Sequence, residues 1–245
     1  MENSLSKTDK ILRITGTVIC EAFTVCTIIM LLQNRESDRL FLSCLTILLI
    51  LLPSAAERLF RCRISTPFFL FCNFYAIGSM LGHCWKFYYV ISWWDKMLHI
   101  FGGVVFAIFG LFLFDILVGK CRKKTLTAAI FALCFSMAIA VLWEFVEFGA
   151  DRFLGMDMQN DTIVTGFSSY YLGDGLGMLG ELPVIGQVTV DGVPLPFEGY
   201  LDIGLFDSMY DMLLESLGAL VVAGIYLIDK GRHAVITPLK KVGDA

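Results

Sequence analysis

The sequence predicts an all-α integral membrane protein, a single domain that forms a six-transmembrane-helix bundle with a small extracytoplasmic lid. The chain of 245 residues is 57% hydrophobic and only 17% charged, whereas soluble domains carry about 25% charged residues. Its apolar residues fall into runs long enough to cross a bilayer, which takes about 20 residues. Loops rich in Lys and Arg alternate with loops that contain few of these residues, which is typical of a multi-pass membrane protein.

Five of the six predicted spans follow directly from long apolar runs. The first run carries Glu21, and no small-residue cleavage site follows it, so we expect a retained transmembrane helix and not a cleaved signal peptide. The third run contains no charged residue. These five spans are predicted at residues 12–32, 40–57, 64–85, 96–118 and 125–150.

The sixth span, predicted at residues 207–228, is unusual because its uncharged core is short. That core, 216–228, has 13 residues, which cannot cross a bilayer. The helix therefore has to begin near Asp207, and it then carries Asp211 and Glu215 into the membrane. Ionisable groups at membrane depth cost free energy and are found mainly where function requires them.

The distribution of basic residues predicts that both termini are cytoplasmic, in a plasma membrane. Of the 19 Lys and Arg residues, 14 lie in the N-terminal segment, which includes Arg13, in the loops after spans two and four, and in the tail. On the loop after span four, Lys120 is expected to pair with Asp115. An outer aromatic belt is predicted from Trp85, Tyr88, Tyr89, Trp93 and Trp94.

The segment from 152 to 206 is predicted to be an extracytoplasmic loop that folds into the lid. Structureless loops longer than about 15 residues are uncommon in folded proteins. Within this loop, residues 188–193 contain an Asp-Gly pair at Asp191 and Gly192. Because Asp-Gly suits a two-residue turn, we expect a β-hairpin there.

Three polar clusters interrupt the apolar sequence, each near the predicted outer end of a span. Residues three or four apart share one face of a helix, so each cluster forms a single stripe. The clusters are Asp95 and His99 in span four, Glu144, Glu147 and Asp151 in span five, and Asp207, Asp211 and Glu215 in span six. Because all three lie in the same half of the bilayer, we predict one shared site. Gly102, Gly103 and Gly218 would allow the helices to approach closely.

Simpler explanations exist for the outermost members of these clusters. Asp95 and Asp207 are typical helix N-caps, and Asp151 fits a solvated residue at a helix end. Glu21 is expected to be a packing residue in the first span. Capping does not explain Glu144, Asp211 or Glu215, so these carry the functional prediction.

Several carboxylates with one imidazole form a ligand set for a divalent cation: Mg²⁺, Mn²⁺, Ca²⁺ or Zn²⁺. The predicted metal ligands are Asp95, His99, Glu144, Asp207 and Asp211. The predicted catalytic residues are His99 and Glu147, with Glu147 as a general base. On this hypothesis the site acts on a lipid-linked or cell-envelope substrate.

Two other functions fit the same residues. An ion- or proton-coupled transporter would need a polar path toward the cytoplasm, for which Glu21 and Asp115 are the candidates. A non-catalytic envelope or resistance protein would instead bind a partner through the lid.

Nucleic acid is not a predicted partner, because no basic stripe with interleaved aromatic residues is present. The eight cysteines are expected to be small buried hydrophobes, without disulfides or a zinc site.

Four segments carry the clusters and their neighbours. They are Trp94-Asp-Lys-Met-Leu-His99-Ile-Phe-Gly-Gly103, Leu142-Trp-Glu-Phe-Val-Glu147-Phe, Tyr200-Leu-Asp202 and Asp207-Ser-Met-Tyr-Asp211-Met-Leu-Leu-Glu-Ser-Leu-Gly218. Together they resemble the YjdF-like family of bacterial integral membrane proteins over about residues 65 to 228, although Ser208 stands where that family often has Thr. The family is a domain of unknown function, so the resemblance implies an architecture and no activity. The Asp95-x-x-x-His99 and Asp207-x-x-x-Asp211 elements show a fainter similarity to VanZ-like proteins. Those proteins are linked to glycopeptide resistance at the cell surface.

Overall fold

The computed structural model describes residues 5–36, 39–118 and 124–230, together with the backbone of 239–241. Its helices, in chain order, are α1 (Lys7–Asn34), α2 (Leu40–Leu59), α3 (Thr66–Ala76), α4 (Gly78–Cys84), α5 (Phe87–Val90), α6 (Trp94–Val118), α7 (Thr125–Leu154) and α8 (Leu205–Ile228). Within these residues, five helices are long and apolar enough to cross a membrane: α1, α2, α6, α7 and α8. Lys120, predicted to pair with Asp115, lies outside the described residues.

The third predicted span is broken in two, so the structure has five long helices where the sequence predicted six. The break falls between α3 and α4 at Ile77, whose ψ of −7° departs from the helical value of about −42°. The indole Nε1 of Trp94 donates a hydrogen bond to the carbonyl of Gly78 over 3.0 Å. The helix break thus occurs where α4 packs against the start of α6. The apolar composition of the segment does not reveal this break.

The helices pack as two groups. In the first, α1 and α2 pack with the broken helix α3–α4 around a cluster that includes Leu31, Ile50 and Met80. In the second, α6, α7 and α8 pack against one another around Ala107, Ala132 and neighbouring small residues. Large apolar side chains on the outer faces of these helices are exposed, which is expected of surfaces that contact lipid.

Helices α6 and α8 touch through their backbones, as the glycines in the sequence predicted. A Cβ atom added at Gly103 would collide with the carbonyl group of Glu215, and one at Gly218 would collide with the carbonyl of Ile100. Such close approach is possible only where a residue has no side chain. This contact sets the distance between the helices that carry Asp95, His99 and Asp211.

A buried ion pair joins the start of α1 to the end of α2 and the start of α3. Arg13, only 5% exposed, directs Nη1 to Glu57 Oε1 at 2.8 Å and Nε to Thr66 Oγ1 at 3.0 Å. Its second terminal nitrogen donates to the carbonyl of Ile64, and its guanidinium carbon lies 4.8 Å from the ring centroid of Phe69. All three nitrogens of this guanidinium therefore have a protein partner, and the Phe69 ring packs against it.

The lid between α7 and α8 is built from short antiparallel strand pairs. The strands of the chain are β1 (Cys62–Ile64), β2 (Thr162–Val164), β3 (Phe167–Ser169), β4 (Gly180–Leu182), β5 (Gln187–Val190), β6 (Val193–Glu198), β7 (Tyr200–Asp202) and β8 (Leu239–Lys241). Within the lid, β2 pairs with β7, β3 with β4 and β5 with β6. The predicted hairpin is confirmed at β5–β6, where Asp191 and Gly192 take φ values of 52° and 81°.

Candidate functional site

Helices α6, α7 and α8 bring the three polar clusters together at one end of their bundle. Helical spacing places Asp95 and His99 on one face of α6, Glu144 and Glu147 on one face of α7, and Asp211 and Glu215 on one face of α8. The buried members are His99 (7% exposed), Glu144 (7%), Glu147 (4%), Asp211 (2%) and Glu215 (4%). Close spacing is seen within two groups, Asp95 with His99 and Asp211, and Glu144 with Glu147 and Asp211.

His99 lies between the acids of its own helix and those of α8. Its Nε2 atom is 3.4 Å from Asp211 Oδ2 and 3.7 Å from Asp95 Oδ1. Both separations are within ion-pair range, but the contact to Asp211 lacks hydrogen-bond geometry, since Oδ2 has no hydrogen-bond partner among the described residues. The imidazole nitrogen and the two carboxylate oxygens thus face one another without being joined directly.

Four buried carboxylate oxygens at this site have no hydrogen-bond partner among the described residues. They are Glu144 Oε2, Glu147 Oε2, Asp211 Oδ2 and Glu215 Oε1. A buried polar atom left without a partner costs about 1–3 kcal/mol, and more when it is charged. Glu147 is held by its other oxygen, Oε1, which accepts a 2.8 Å hydrogen bond from the Trp143 indole. A proton, a cation or a water molecule would satisfy these oxygens.

Two overlapping sets of three residues have the spacing of a metal site. One set is Asp95, His99 and Asp211, and the other is Glu144, Glu147 and Asp211. In each set, one ligand atom per residue lies within 4.8 Å of the others. Ligands around one cation, with bonds of about 2.0–2.4 Å, are separated by no more than roughly that distance. Asp211 belongs to both sets.

Asp151 and Asp207, the outermost acids, hold the beginning of the lid. Asp151 accepts hydrogen bonds from the backbone N–H groups of Met158 (2.6 Å) and Gln159 (2.9 Å). Asp207 Oδ2 accepts from Asn160, both from its backbone N–H at 2.7 Å and from its side-chain Nδ2 at 3.3 Å. We call residues 158–160 the clamped segment. Asp151 is therefore a lid anchor and not simply a solvated helix end.

The clamped segment also packs against the bundle. The side chain of Gln159 donates to Ser208 Oγ over 2.5 Å, and both residues lie near Glu144. Met158 is 3% exposed, in a cluster with Leu42 and Ala150. Residues of α2, α7 and α8 therefore all take part in holding the lid beside the site.

The clamped segment is flanked by two further acidic residues, Asp157 and Asp161, whose charges repel each other. Burial, together with nearby Asp161 and Asp151, raises the pKa of Asp157 above its ordinary value. Burial likewise raises the pKa of Asp161, with Asp151 and Asp202 contributing. A raised pKa in the folded state means that protonation favours folding, and this contribution is lost as pH rises through the folded-state pKa. The stability that these two carboxyl groups contribute to the lid is accordingly lost as they ionise.

Replacing either anchor with alanine is expected to loosen the clamped segment. Hydrogen bonds to a charged acceptor contribute about 1.5–3 kcal/mol, so Asp151→Ala or Asp207→Ala should speed amide exchange at residues 158–160 about tenfold or more. Hydrogen–deuterium exchange with mass spectrometry measures this change. Glu181→Ala removes an exposed carboxylate from β4 and serves as the matched control. Unchanged exchange in both anchor variants would contradict the assignment.

Two tyrosines, Tyr75 and Tyr88, lie near the site although the sequence did not predict either of them there. The Tyr75 hydroxyl lies 2.6 Å from where a Gly102 Cβ would be, and Glu215 Oε2 lies 3.6 Å from the same point. Tyr88, predicted only as part of the aromatic belt, packs its ring on Gly82 and interacts with the charges of Asp95 and Glu147. A buried tyrosine hydroxyl needs a polar partner, so a tyrosine inside the apolar span of residues 64–85 was the available signal.

The structure does not bring every predicted polar residue to the site. Glu21 lies on α1, which packs mainly against α2 and α3. Its Oε1 atom is buried without a hydrogen-bond partner in the part of the chain that the structure describes. Asp207 lies one helical turn from Asp211, but its observed hydrogen bonds go to the lid. It does not cap α8 either, since Asp202 accepts the first-turn N–H of Phe206 at 2.9 Å.

These features define a class: multi-pass membrane proteins with a buried carboxylate–imidazole site at one end of a helical bundle. Residues 16–232 match the family described as "Predicted membrane protein (DUF2238)", and the chain belongs to this family. An "Uncharacterized protein" of Thermotoga maritima is 35% identical over 80 residues, which make up 32% of this chain and 40% of the relative. The alignment thus spans less than half of that relative. No solved structure matches the chain.

Proposed function

We propose that this protein binds a divalent cation at the carboxylate–imidazole site and acts on a lipid-linked or cell-envelope substrate. The observation that carries the proposal is the set of buried carboxylate oxygens without hydrogen-bond partners in the described residues. Several desolvated carboxylates cannot all remain ionised without opposite charge nearby. A cation supplies that charge, and an oxygen-rich set with one imidazole suits Mg²⁺, Mn²⁺ or Ca²⁺ and admits Zn²⁺.

The proposal assigns a role to each residue. Asp95, His99, Glu144 and Asp211 are ligands, with His99 also next to the reacting centre. Glu147, positioned by the Trp143 indole, is the candidate general base. Asp207 joins the ligand set only when the lid opens, because the closed lid engages its carboxylate through Asn160. Lid opening would therefore couple substrate entry to completion of the site.

We further propose that the chain crosses the plasma membrane six times with both termini in the cytoplasm. Helices α3 and α4 would form the third crossing together, because residues 66–84 at about 1.5 Å per residue nearly match a 30 Å hydrocarbon core. The Lys and Arg distribution supports this orientation. It places the acidic site in the outer half of the bilayer, which is the basis for the proposed substrate class. The fainter VanZ-like similarity, by analogy, fits the same cell surface.

The packing beyond the site favours cation binding over transport. The remaining length of the α6–α8 bundle is filled by an apolar cluster that includes Ala107, Leu111, Ala132, Ala219 and Val222. A proton or ion path needs polar groups at intervals along its length. Within the described residues, the buried members of this cluster are apolar except Tyr226, near the opposite end of α8, so a site open only at its acidic end fits the structure better.

Metal analysis of the purified full-length protein tests the proposal. Protein stripped with a chelator and reloaded with Mn²⁺ should retain metal, and Glu144→Ala should reduce the bound amount. Saturation at 100 times the dissociation constant should also stabilise the fold by about 2.7 kcal/mol, seen as a rise in the unfolding temperature. Glu181→Ala, on the lid surface, should match the wild type. A protein that binds no metal, with no difference between these variants, would sink the proposal.

A further inference from the structure

We infer that the site holds two divalent cations bridged by Asp211, and not one. The inference rests on the proposed cation binding. The first observation is that the five candidate ligands separate into two sets, Asp95–His99–Asp211 and Glu144–Glu147–Asp211. They do not form one set of five with mutual spacings within 4.8 Å, and that spacing is about the limit for ligands on a single cation. Asp211 is the member that the two sets share.

The second observation is that the shared residue and its neighbours present unused oxygens. Asp211 Oδ2, Glu144 Oε2 and Glu147 Oε2 are buried and without hydrogen-bond partners in the described part of the chain, and all three side chains are more than nine-tenths buried. Asp211 has two carboxylate oxygens, so it can offer one to each cation. Carboxylates that bridge in this way hold cations about 3.5–4 Å apart in two-metal sites.

The charge of the ligands also indicates two divalent cations. Asp95, Glu144, Glu147 and Asp211 together carry four negative charges when ionised, while a ligating imidazole is neutral. Two divalent cations cancel this charge, whereas a single cation leaves two negative charges in a desolvated site. Of the other nearby charges, Asp207 and Glu215 are negative and Lys96 is positive, so the surroundings do not supply the charge that a single cation would leave uncompensated. Two cations therefore satisfy the whole set without requiring protons on the ligands.

The two positions differ in ligand chemistry. The position on His99 includes a nitrogen ligand, which suits Zn²⁺ or other transition metals, whereas the position on Glu144 and Glu147 is all oxygen and suits Mg²⁺ or Mn²⁺. The Trp143 indole holds Glu147 Oε1 and leaves Oε2 for the cation. In this arrangement Glu147 would be a ligand and not the general base.

Manganese stoichiometry and electron paramagnetic resonance of the full-length protein test the inference together. Wild-type protein loaded with Mn²⁺ should contain two ions per chain and give the spectrum of a coupled pair. His99→Ala and Glu147→Gln should each reduce the content to one ion per chain and give the six-line spectrum of isolated Mn²⁺. Glu181→Gln should retain two coupled ions, which controls for ions bound by the acidic lid.

The outcomes separate this inference from the proposal on which it rests. One uncoupled ion per wild-type chain would overturn the bridged pair and leave the proposed cation site intact. No bound ion would overturn both. Two ions that persist in both His99→Ala and Glu147→Gln would place them elsewhere and also overturn the inference. If a variant fails to fold, the wild-type stoichiometry and spectrum still decide between one ion and a coupled pair.

Discussion

Gly103→Ala is expected to destabilise the protein by about 3 kcal/mol, although it adds only one methyl group. The new Cβ atom would collide with the backbone carbonyl of Glu215 and approach the backbone nitrogen of Ala219. A flexible side chain could rotate away from such a collision, but a helix backbone cannot. Helices α6 and α8 would have to separate, and this would pull His99 away from Asp211. We therefore expect a lower unfolding temperature in detergent, together with reduced metal content.

Gly149→Ala on α7 is the matched control, because it makes the same chemical change where the structure leaves room. A Cβ at Gly149 meets nothing within 4 Å. Alanine favours helix over glycine by about 0.8–1.0 kcal/mol, so this variant should be neutral or slightly stabilised. Equal unfolding temperatures for the two alanine variants would show that the α6–α8 contact is not as tight as described.

Arg13→Met is expected to cost about 3 kcal/mol, because it leaves the part-buried Glu57 carboxylate without its closer charged partner. Methionine matches the length of the arginine stem but removes the bonds to Glu57, Thr66 and the Ile64 carbonyl. Glu57 would retain the Ile64 N–H at 2.7 Å and the more exposed Arg63 at 3.5 Å. Thermal or denaturant unfolding in a fixed detergent measures the difference from wild type.

Arg39→Met provides the comparison for this second variant. Arg39 also pairs with a glutamate, Glu36, at 2.9 Å, but both side chains are partly exposed to solvent. Exposed ion pairs contribute about 0–1 kcal/mol, so this change should have a small effect. Arg13→Lys should fall between the two, since it keeps the charge but loses the forked geometry that reaches three partners. A small effect of Arg13→Met would mean that Glu57 is solvated.

Local patterns in the sequence were sufficient to predict the shared site. The spacing of Asp95 with His99 and of Asp211 with Glu215 identifies helix faces, and the alternation of spans places those faces at one end of the bundle. Gly103 and Gly218 predicted the close approach of α6 to α8. These inferences succeeded because helical periodicity and the length of a membrane span act on neighbouring residues only.

Features that depend on distant contacts were not predictable in the same way. Asp207 bonds to Asn160, which is 47 residues away in the sequence, and no local pattern distinguishes this role from a metal ligand or an N-cap. The break at Ile77 lies next to Gly78, whose carbonyl accepts a hydrogen bond from the distant Trp94. Arg13 was counted among the cations that orient the chain, because composition cannot distinguish a buried ion-paired arginine from a solvated one.

The placement of Asp211 and Glu215 on the last long helix has a consequence for biosynthesis. About 50 residues separate the end of α7 from the start of α8, so at about 5–20 residues per second α7 is synthesised several seconds before its partner. During that interval Glu144 and Glu147 have no α8 to cover them. α8, in turn, is long and apolar enough to cross the membrane, but it carries Asp211 and Glu215 within that length. Docking onto α6 and α7 covers these carboxylates, which makes assembly of the acidic site a late step in the maturation of the protein.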